Sequence, residues 1–96
     1  MTAKEAYEKK LKAQLEQWDA EIDKLQAKAK QADADAQLEY HKRIEELQAL
    51  RDKANQKLTE LKNASENAWE DLKVGAELAR DSLASAIKSA TSRFKK

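Results

Sequence analysis

The residues with the clearest chemical potential are His41 and Glu45, which lie one helical turn apart in the sequence. His41 is the single histidine, and on a helix its imidazole would share a face with the Glu45 carboxylate. A zinc site typically takes three or four protein ligands, so two residues at this spacing do not make one. The pattern favours a solvated histidine, and we expect no metal site.

Other candidates for catalysis lack the partners that catalysis needs. The acidic residues of each pair, Glu45 with Glu46 and Glu70 with Asp71, are adjacent, and no pocket is expected to adapt them for acid–base work. Four serines have no histidine or lysine arranged as a base: Ser82, Ser85, Ser89 and Ser92. With a single glycine, the chain has no Gly-rich phosphate loop. The sequence therefore predicts no catalytic residue and no cofactor.

The composition fits extended helices better than a compact globule. Charged residues make up 39% of the 96 residues, against about 25% in an average domain, and aromatic residues make up 5%. The net charge is +1 with interleaved signs, which argues against a dedicated nucleic-acid binder. There is no cysteine, and no stretch reads as a signal peptide or a membrane span. We expect a cytoplasmic protein.

The elements that must position these groups are helices. From Tyr7 to Leu72 the chain has neither glycine nor proline, and its larger apolar residues recur mostly in alternating steps of three and four. That spacing produces an apolar seam on a helix that packs against another helix. We expect the interaction seam, including its continuation near the C-terminus, to contain Leu11, Leu15, Trp18, Ile22, Leu25, Ile44, Leu47, Leu58, Leu61, Trp69, Leu72, Leu83, Ile87 and Phe94.

A long first helix is expected over about residues 3–62, and one stretch within it allows two interpretations. In residues 27–37 alanine replaces the large seam residues. The strong helix propensity of alanine, without Gly, Pro or Asn nearby, favours a continuous helix. The alternative is that Asp33 or Asp35 caps a new helix and the chain turns near 33–35.

Residues 63–67 (Asn-Ala-Ser-Glu-Asn) predict a break between helices. Their local helix propensity is weak, and Asn63 followed by Glu66 has the form of a capping box. A second helix over about 66–94 should follow. Its apolar residues fall on one stripe, formed by Trp69, Leu72, Ala76, Ala79, Leu83, Ile87, Ala90 and Phe94.

The predicted fold class is all-α, a long-helix coiled coil or a helical hairpin or bundle, in a single domain over residues 1–96. An unbroken helix of about 60 residues would be roughly 90 Å long and could not bury its seam alone, so we expect a homo-oligomer. Three segments of similar length also allow a three-helix bundle. Arg51 interrupts the seam, where it either restricts the register or extends past the seam to water.

The C-terminal helix allows two interpretations. Its apolar stripe, with Trp69 near one end, either packs against a partner helix or lies in a lipid headgroup layer. The narrow arc of the stripe and the acidic residues between positions 70 and 81 favour helix packing. Lipid binding would be helped by the basic tail, formed by Lys88, Arg93, Lys95 and Lys96.

The whole chain resembles a family of small bacterial coiled-coil stress-response proteins of cyanobacteria and proteobacteria. The matching stretches are Lys4-Glu5-Ala6-Tyr7, residues 15–22 with Trp18, Ala34-Asp35-Ala36-Gln37-Leu38-Glu39-Tyr40, Ala68-Trp69-Glu70-Asp71-Leu72-Lys73 and Ser92-Arg93-Phe94-Lys95. The resemblance implies a stress-associated, non-enzymatic protein whose molecular function is undefined, and it carries over no functional residues.

The resulting hypothesis is a non-enzymatic structural or protein-interaction protein with a role in stress. Self-association is the expected interaction, and another protein is a further candidate partner. The alternative is an amphipathic membrane-surface binder that acts through residues 66–96.

Overall fold

The chain forms three consecutive α-helices in a computed structural model that describes residues 1–94. Helix α1 spans Ala3–Gln31, α2 spans Ala34–Asn63 and α3 spans Trp69–Arg93. The all-α prediction is confirmed. Two residues of the predicted basic tail, Lys95 and Lys96, lie outside the described residues.

The helices run up, down and up along a rod with extents of 51 × 19 × 18 Å. The Lys4 ammonium at the start of α1 donates to the Lys62 carbonyl at the end of α2, over 3.2 Å. The Tyr7 and Trp69 rings join the starts of α1 and α3. Neighbouring helices in sequence are therefore antiparallel, and α3 packs more extensively on α2 than on α1.

The favoured expectation of an unbroken helix over 3–62 is wrong, because the chain turns at Ala32 and Asp33. Both residues have extended backbone, and the Asp33 carboxylate accepts a hydrogen bond from the Ala36 N–H at 2.9 Å. This bond caps α2, as in the alternative that the sequence left open. The turn brings the two halves of the seam together, and that burial outweighs the local preference of alanine for helix.

The predicted break after residue 62 is present, but its capping differs from the expectation. Asn63 is the last residue of α2, so it does not form a capping box with Glu66. The Ser65 hydroxyl instead accepts from the Ala68 N–H at 3.2 Å and closes the turn before α3, whose N-cap residue Ala68 makes no side-chain cap bond. Residues 66–68 form a turn, and α3 begins at Trp69 instead of 66.

The seam is buried within a single chain. Its largest fully buried side chains come from all three helices: Leu11, Leu15, Ile22, Leu47, Leu61 and Leu83. Leu25, Ile44, Leu58, Trp69 and Ile87 are also buried, and Trp18, Leu72 and Phe94 are partly buried against the same cluster. Among residues 1–94 no polar or charged residue is buried. Burying the seam therefore requires no second chain.

Core truncations should destabilise the bundle strongly. Ile22→Ala and Leu47→Ala, at positions that are each 1% exposed, should lower the free energy of unfolding by about 2–4 kcal/mol each, because they leave cavities. Lys28→Ala on an exposed face should change it by less than about 0.5 kcal/mol. Urea denaturation measures all three, and equal effects would mean that the buried face is misassigned.

The cap of α2 gives a second prediction. Asp33→Ala should lower the free energy of unfolding by about 1 kcal/mol, because the Ala36 N–H loses its acceptor. The control is Asp35→Ala, which removes a carboxylate from the same turn without breaking a cap hydrogen bond and should cost less. An increase in stability for Asp33→Ala, as a continuous helix would give, would contradict the turn.

Candidate interaction surfaces

An aromatic cluster joins the first turns of α1 and α3. The ring centroids of Tyr7 and Trp69 lie 5.9 Å apart at an interplanar angle of 38°. Lys73 Nζ lies 5.3 Å from the Tyr7 centroid and 5.7 Å from the Trp69 centroid, within the range of a cation–π contact. Trp69 is buried, so this cluster holds the two helix starts together and leaves the indole shielded.

The Tyr7 hydroxyl is the titratable group with a perturbed environment. Its oxygen is buried and has no hydrogen-bond partner among the described residues. Burial raises the pKa of Tyr7 above its ordinary value of 10.0, and the negative charges of Glu77 and Asp81 raise it further, against a lowering by Arg80. Trp69 and Lys73 pack against the same ring, so the phenol is part of the contact between α1 and α3.

The opposite end of the bundle is closed by α2 and α3. The Tyr40 and Phe94 rings stack with centroids 3.9 Å apart at 17°. Arg93 Nη2 lies 3.3 Å from Glu39 Oε2 beside the stack. Phe94 and Arg93, which the membrane interpretation would place at a lipid surface, therefore contact α2.

Arg51, which interrupts the seam, reaches the edge of the bundle. Its Nε lies 3.5 Å from Asp19 Oδ1 on α1, and its Nη2 lies 3.1 Å from Asp52 Oδ1. The Arg51 side chain is 27% exposed, so it extends past the seam to the surface. This is one of the two interpretations that the sequence allowed. Its contact with Asp19 also links α1 to α2.

The chemical candidates lie on exposed surface. His41 Nε2 is 3.3 Å from Glu45 Oε1, and these side chains are 74% and 67% exposed. Within residues 1–94 no group of three or more His, Cys, Asp or Glu is placed to hold a metal ion. The carboxylate pairs are likewise exposed. Ser82, Ser85, Ser89 and Ser92 are exposed along one side of α3.

Two grooves mark the outside of the bundle. The larger, which we call the hairpin groove, encloses about 910 Å³ between the end of α1 and the start of α2, and it includes Ala29, Leu38 and Ile44. The smaller, the lateral groove, encloses about 290 Å³ between α2 and α3, beside Leu50, Gly75 and Leu78.

Sequence reasoning missed the large apolar residues that lie outside the seam. Leu38 is 72% exposed, and Val74 and Leu78 are each 64% exposed. Leu38 lines the hairpin groove and Leu78 lines the lateral groove. The available signal was phase, because these residues fall out of step with the spacing of three and four that defines the seam.

Comparisons with known proteins add no family assignment. A scan against protein-family models finds no match, and searches of curated proteins and of solved structures find none. The resemblance to bacterial stress-response coiled coils stays a prediction. Within residues 1–94, no helix combines the length and the apolar character needed to cross a bilayer.

The environment of Tyr7 predicts a pH dependence of stability. Because the folded pKa lies above 10.0, folding favours the neutral phenol, and this contribution is complete below pH 10.0 and is lost as pH rises through the folded pKa. Tyr7→Phe should therefore reduce the alkaline loss of unfolding free energy. The hydroxyl has no hydrogen-bond partner within residues 1–94, so the change should cost little at neutral pH.

Urea titrations at a series of pH values above neutrality measure this difference. Tyr40→Phe is the control, because it removes a phenol hydroxyl from the ring stack at the opposite end of the bundle. Identical pH profiles for wild type and Tyr7→Phe would contradict the assignment.

Proposed function

We propose that the protein is a non-enzymatic helical interaction protein that binds other protein surfaces through the outside of its bundle. The observation that carries the proposal is the division of its large apolar residues. The seam is buried within the chain, whereas Leu38, Val74 and Leu78 remain mostly exposed. The first group builds the fold, and the second is available to a partner.

The position of these exposed residues supports the binding proposal more strongly than their exposure does. Single apolar residues on a surface are common and need no explanation. Here Leu38 and Leu78 each line a groove between two helices, where a side chain from another protein would meet apolar surface on two sides. Burying one such leucine fully contributes about 1.5–3 kcal/mol, so each groove offers a weak to moderate contact.

The exposure of the chemical candidates favours a non-enzymatic role. His41 and Glu45 line the open hairpin groove with side chains that are 74% and 67% exposed. Within residues 1–94 no group of three or more His, Cys, Asp or Glu is placed to hold a metal ion. A general acid or base normally works in an environment that adapts it to its task, and these two side chains lie largely in water. The proposal therefore assigns the chain to binding.

A role in stress and a cytoplasmic location complete the proposal. The role in stress rests on the family resemblance of the sequence.

The alternative, membrane-surface binding through residues 66–96, is less favoured. The stripe that would enter lipid contains Trp69, Leu83 and Ile87, which are 7%, 0% and 6% exposed in the bundle. To reach a headgroup layer, α3 would first have to leave α1 and α2, and the rest of the seam would become exposed. A lipid-binding helix normally offers a wide apolar face without such a rearrangement.

Photo-crosslinking tests the protein-binding proposal. A photoreactive amino acid is placed at Leu38 or at Leu78, and at exposed Lys28 as a control, in cells that naturally contain the protein. We expect protein adducts from position 38, position 78 or both, and far fewer from position 28. Adducts to lipid alone, or equal labelling at all three positions, would contradict the proposal.

Vesicle binding separates the two functions. Trp69 is packed against Tyr7, so anionic vesicles should leave the tryptophan emission of the intact protein unchanged. As a comparison, Leu83→Asp places a charge in the core and should open the bundle. A blue shift in the intact protein that raised salt reduces would support membrane binding instead.

A further inference from the structure

The outer side of α3 is a face without charge in a highly charged protein. At about 100° per residue, six exposed residues fall within an arc of about 80°: Val74, Leu78, Ser82, Ser85, Ser89 and Ser92. We call these six residues the α3 outer face. It runs for about 27 Å, and no charged residue between positions 74 and 92 falls within the arc.

The apolar part of this face is left mostly uncovered by the rest of residues 1–94. Val74 and Leu78, one turn apart, are each 64% exposed. The lateral groove lies beside them and adds the half-buried Leu50, which extends the apolar surface onto α2. Surface-facing helix positions in this protein are mostly Lys, Glu, Asp or Gln, so a valine and a leucine here need a separate reason.

The charges along one border of the face are arranged by sign. Glu77 and Asp81 lie on the α1 side of the face in its first half, and Lys88 lies on the same side in its second half. When two copies of this border face each other in antiparallel orientation, the acidic half of each copy meets the basic half of the other. A two-fold axis between parallel copies would instead bring this border against the α2 side of the partner, so its acidic and basic halves would not meet.

We propose that the α3 outer face is the docking site for a second copy of this chain, in an antiparallel arrangement about a two-fold axis. The inference rests on the proposed function and names the partner for one of its surfaces. A two-fold axis between antiparallel helices keeps the same border on the same side, so complementary charges meet twice.

The register follows from the spacing of the face. With Ser82 opposite the partner's Ser85, Leu78 lies opposite the partner's Ser89. In that register Lys88 lies opposite position 79 of the other copy, between the partner's Glu77 and the partner's Asp81. Small serine side chains let the two helices approach closely, and each leucine then covers the partner's serine face.

Existing ion pairs do not block this contact. Asp81 Oδ1 lies 3.1 Å from Arg80 Nη2, and Glu77 Oε1 lies 3.9 Å from Lys73 Nζ, both on the helix surface. Such exposed pairs contribute little and rearrange readily.

The border of the α3 outer face on the α2 side carries more positive charge than the border on the α1 side. Lys57 is paired with Glu60 at 3.5 Å, and Arg93 with Glu39 at 3.3 Å, which offsets those two cations. Lys53 also lies on this side, beside the lateral groove. The residual positive charge opposes association and should make the dimer weaker at low salt than the first border alone would imply.

The contact is small by the standard of stable dimers. A helix face of this length with part of the lateral groove buries less than the roughly 800 Å² per partner of a standard interface. We therefore expect a reversible dimer with a dissociation constant on the order of 0.1 mM.

Sedimentation velocity from about 10 µM to 1 mM, a range that spans this constant, tests the association itself. The wild-type chain should pass from monomer to dimer. Leu78→Asp should weaken dimerisation at least about 10-fold by placing a charge in the contact. Leu38→Asp, at a similarly exposed leucine of the hairpin groove, should leave it unchanged. Circular dichroism checks that both variants keep their helices, as we expect for substitutions at exposed positions.

A charge exchange tests the proposed border. Lys88→Glu should weaken the dimer, because like charges then face the partner's acids. Combining it with Glu77→Lys and Asp81→Lys restores opposite signs and should restore association. Failure of the triple variant to recover, with its helical content intact, would overturn the proposed contact between the borders.

Unique thiols test the orientation, since the chain has no cysteine. A mixture of the Ser82→Cys and Ser85→Cys chains should form the mixed disulfide readily, because their Cα atoms must lie within about 7 Å. Val74→Cys should not form a disulfide with itself, because the two copies of position 74 lie at opposite ends of the face. The reverse result would establish a parallel contact and overturn the proposal.

The outcomes separate this inference from the proposed function. If the chain stays monomeric over the whole concentration range, the proposal that a second copy binds the α3 outer face is overturned. If photo-adducts from position 78 are then another protein, the interaction function stands and the partner differs. If Leu38→Asp abolishes dimerisation and Leu78→Asp does not, self-association uses the hairpin groove and the α3 assignment is wrong.

Discussion

The constraint on which the structure depends is that a narrow apolar seam must be buried by the chain that carries it. Each helix presents few large apolar residues among many charges, so none would hold its seam out of water alone. Two sharp turns solve this problem. The turn at Asp33 separates α1 from α2, and the turn at Ser65 separates α2 from α3. The chain therefore folds back on itself, and Ile22, Leu47 and Leu83 share one core. The aromatic contacts at the two ends and the Arg51–Asp19 contact follow from that alignment.

Periodicity predicted the helices and most of the core, because the spacing of Leu15, Ile22 and Leu58 reports directly which face is apolar. It was less informative about where the chain turns. Around Asp33, local propensity favoured helix, and the deciding term was the burial gained between residues distant in sequence. At residues 63–67 the capping box expected from Asn63 and Glu66 does not form, because Asn63 stays in α2, and the Ser65 hydroxyl closes the turn instead.

The exposed apolar residues were the least predictable part of the structure, because the spacing of three and four identifies only residues that lie on the seam. Leu38, Val74 and Leu78 do not fit it and were passed over. Once the core is closed, these residues carry the information about partners, because their burial is the apolar contribution still available. The chemical residues give the opposite result. His41 and Glu45 have side chains of clear chemical potential in the sequence, and both lie on exposed surface.

The central claim is that one chain buries its own seam, and small-angle X-ray scattering at low protein concentration tests it most directly. A bundle closed by one chain gives the scattering mass of a single chain and a long dimension close to 51 Å. A particle of about 90 Å or longer, the length of a continuous helix over the first 60 residues, would contradict it. So would a dimer or larger assembly that persists at the lowest concentration and loses its helices on dissociation, because the seam would then be buried between chains.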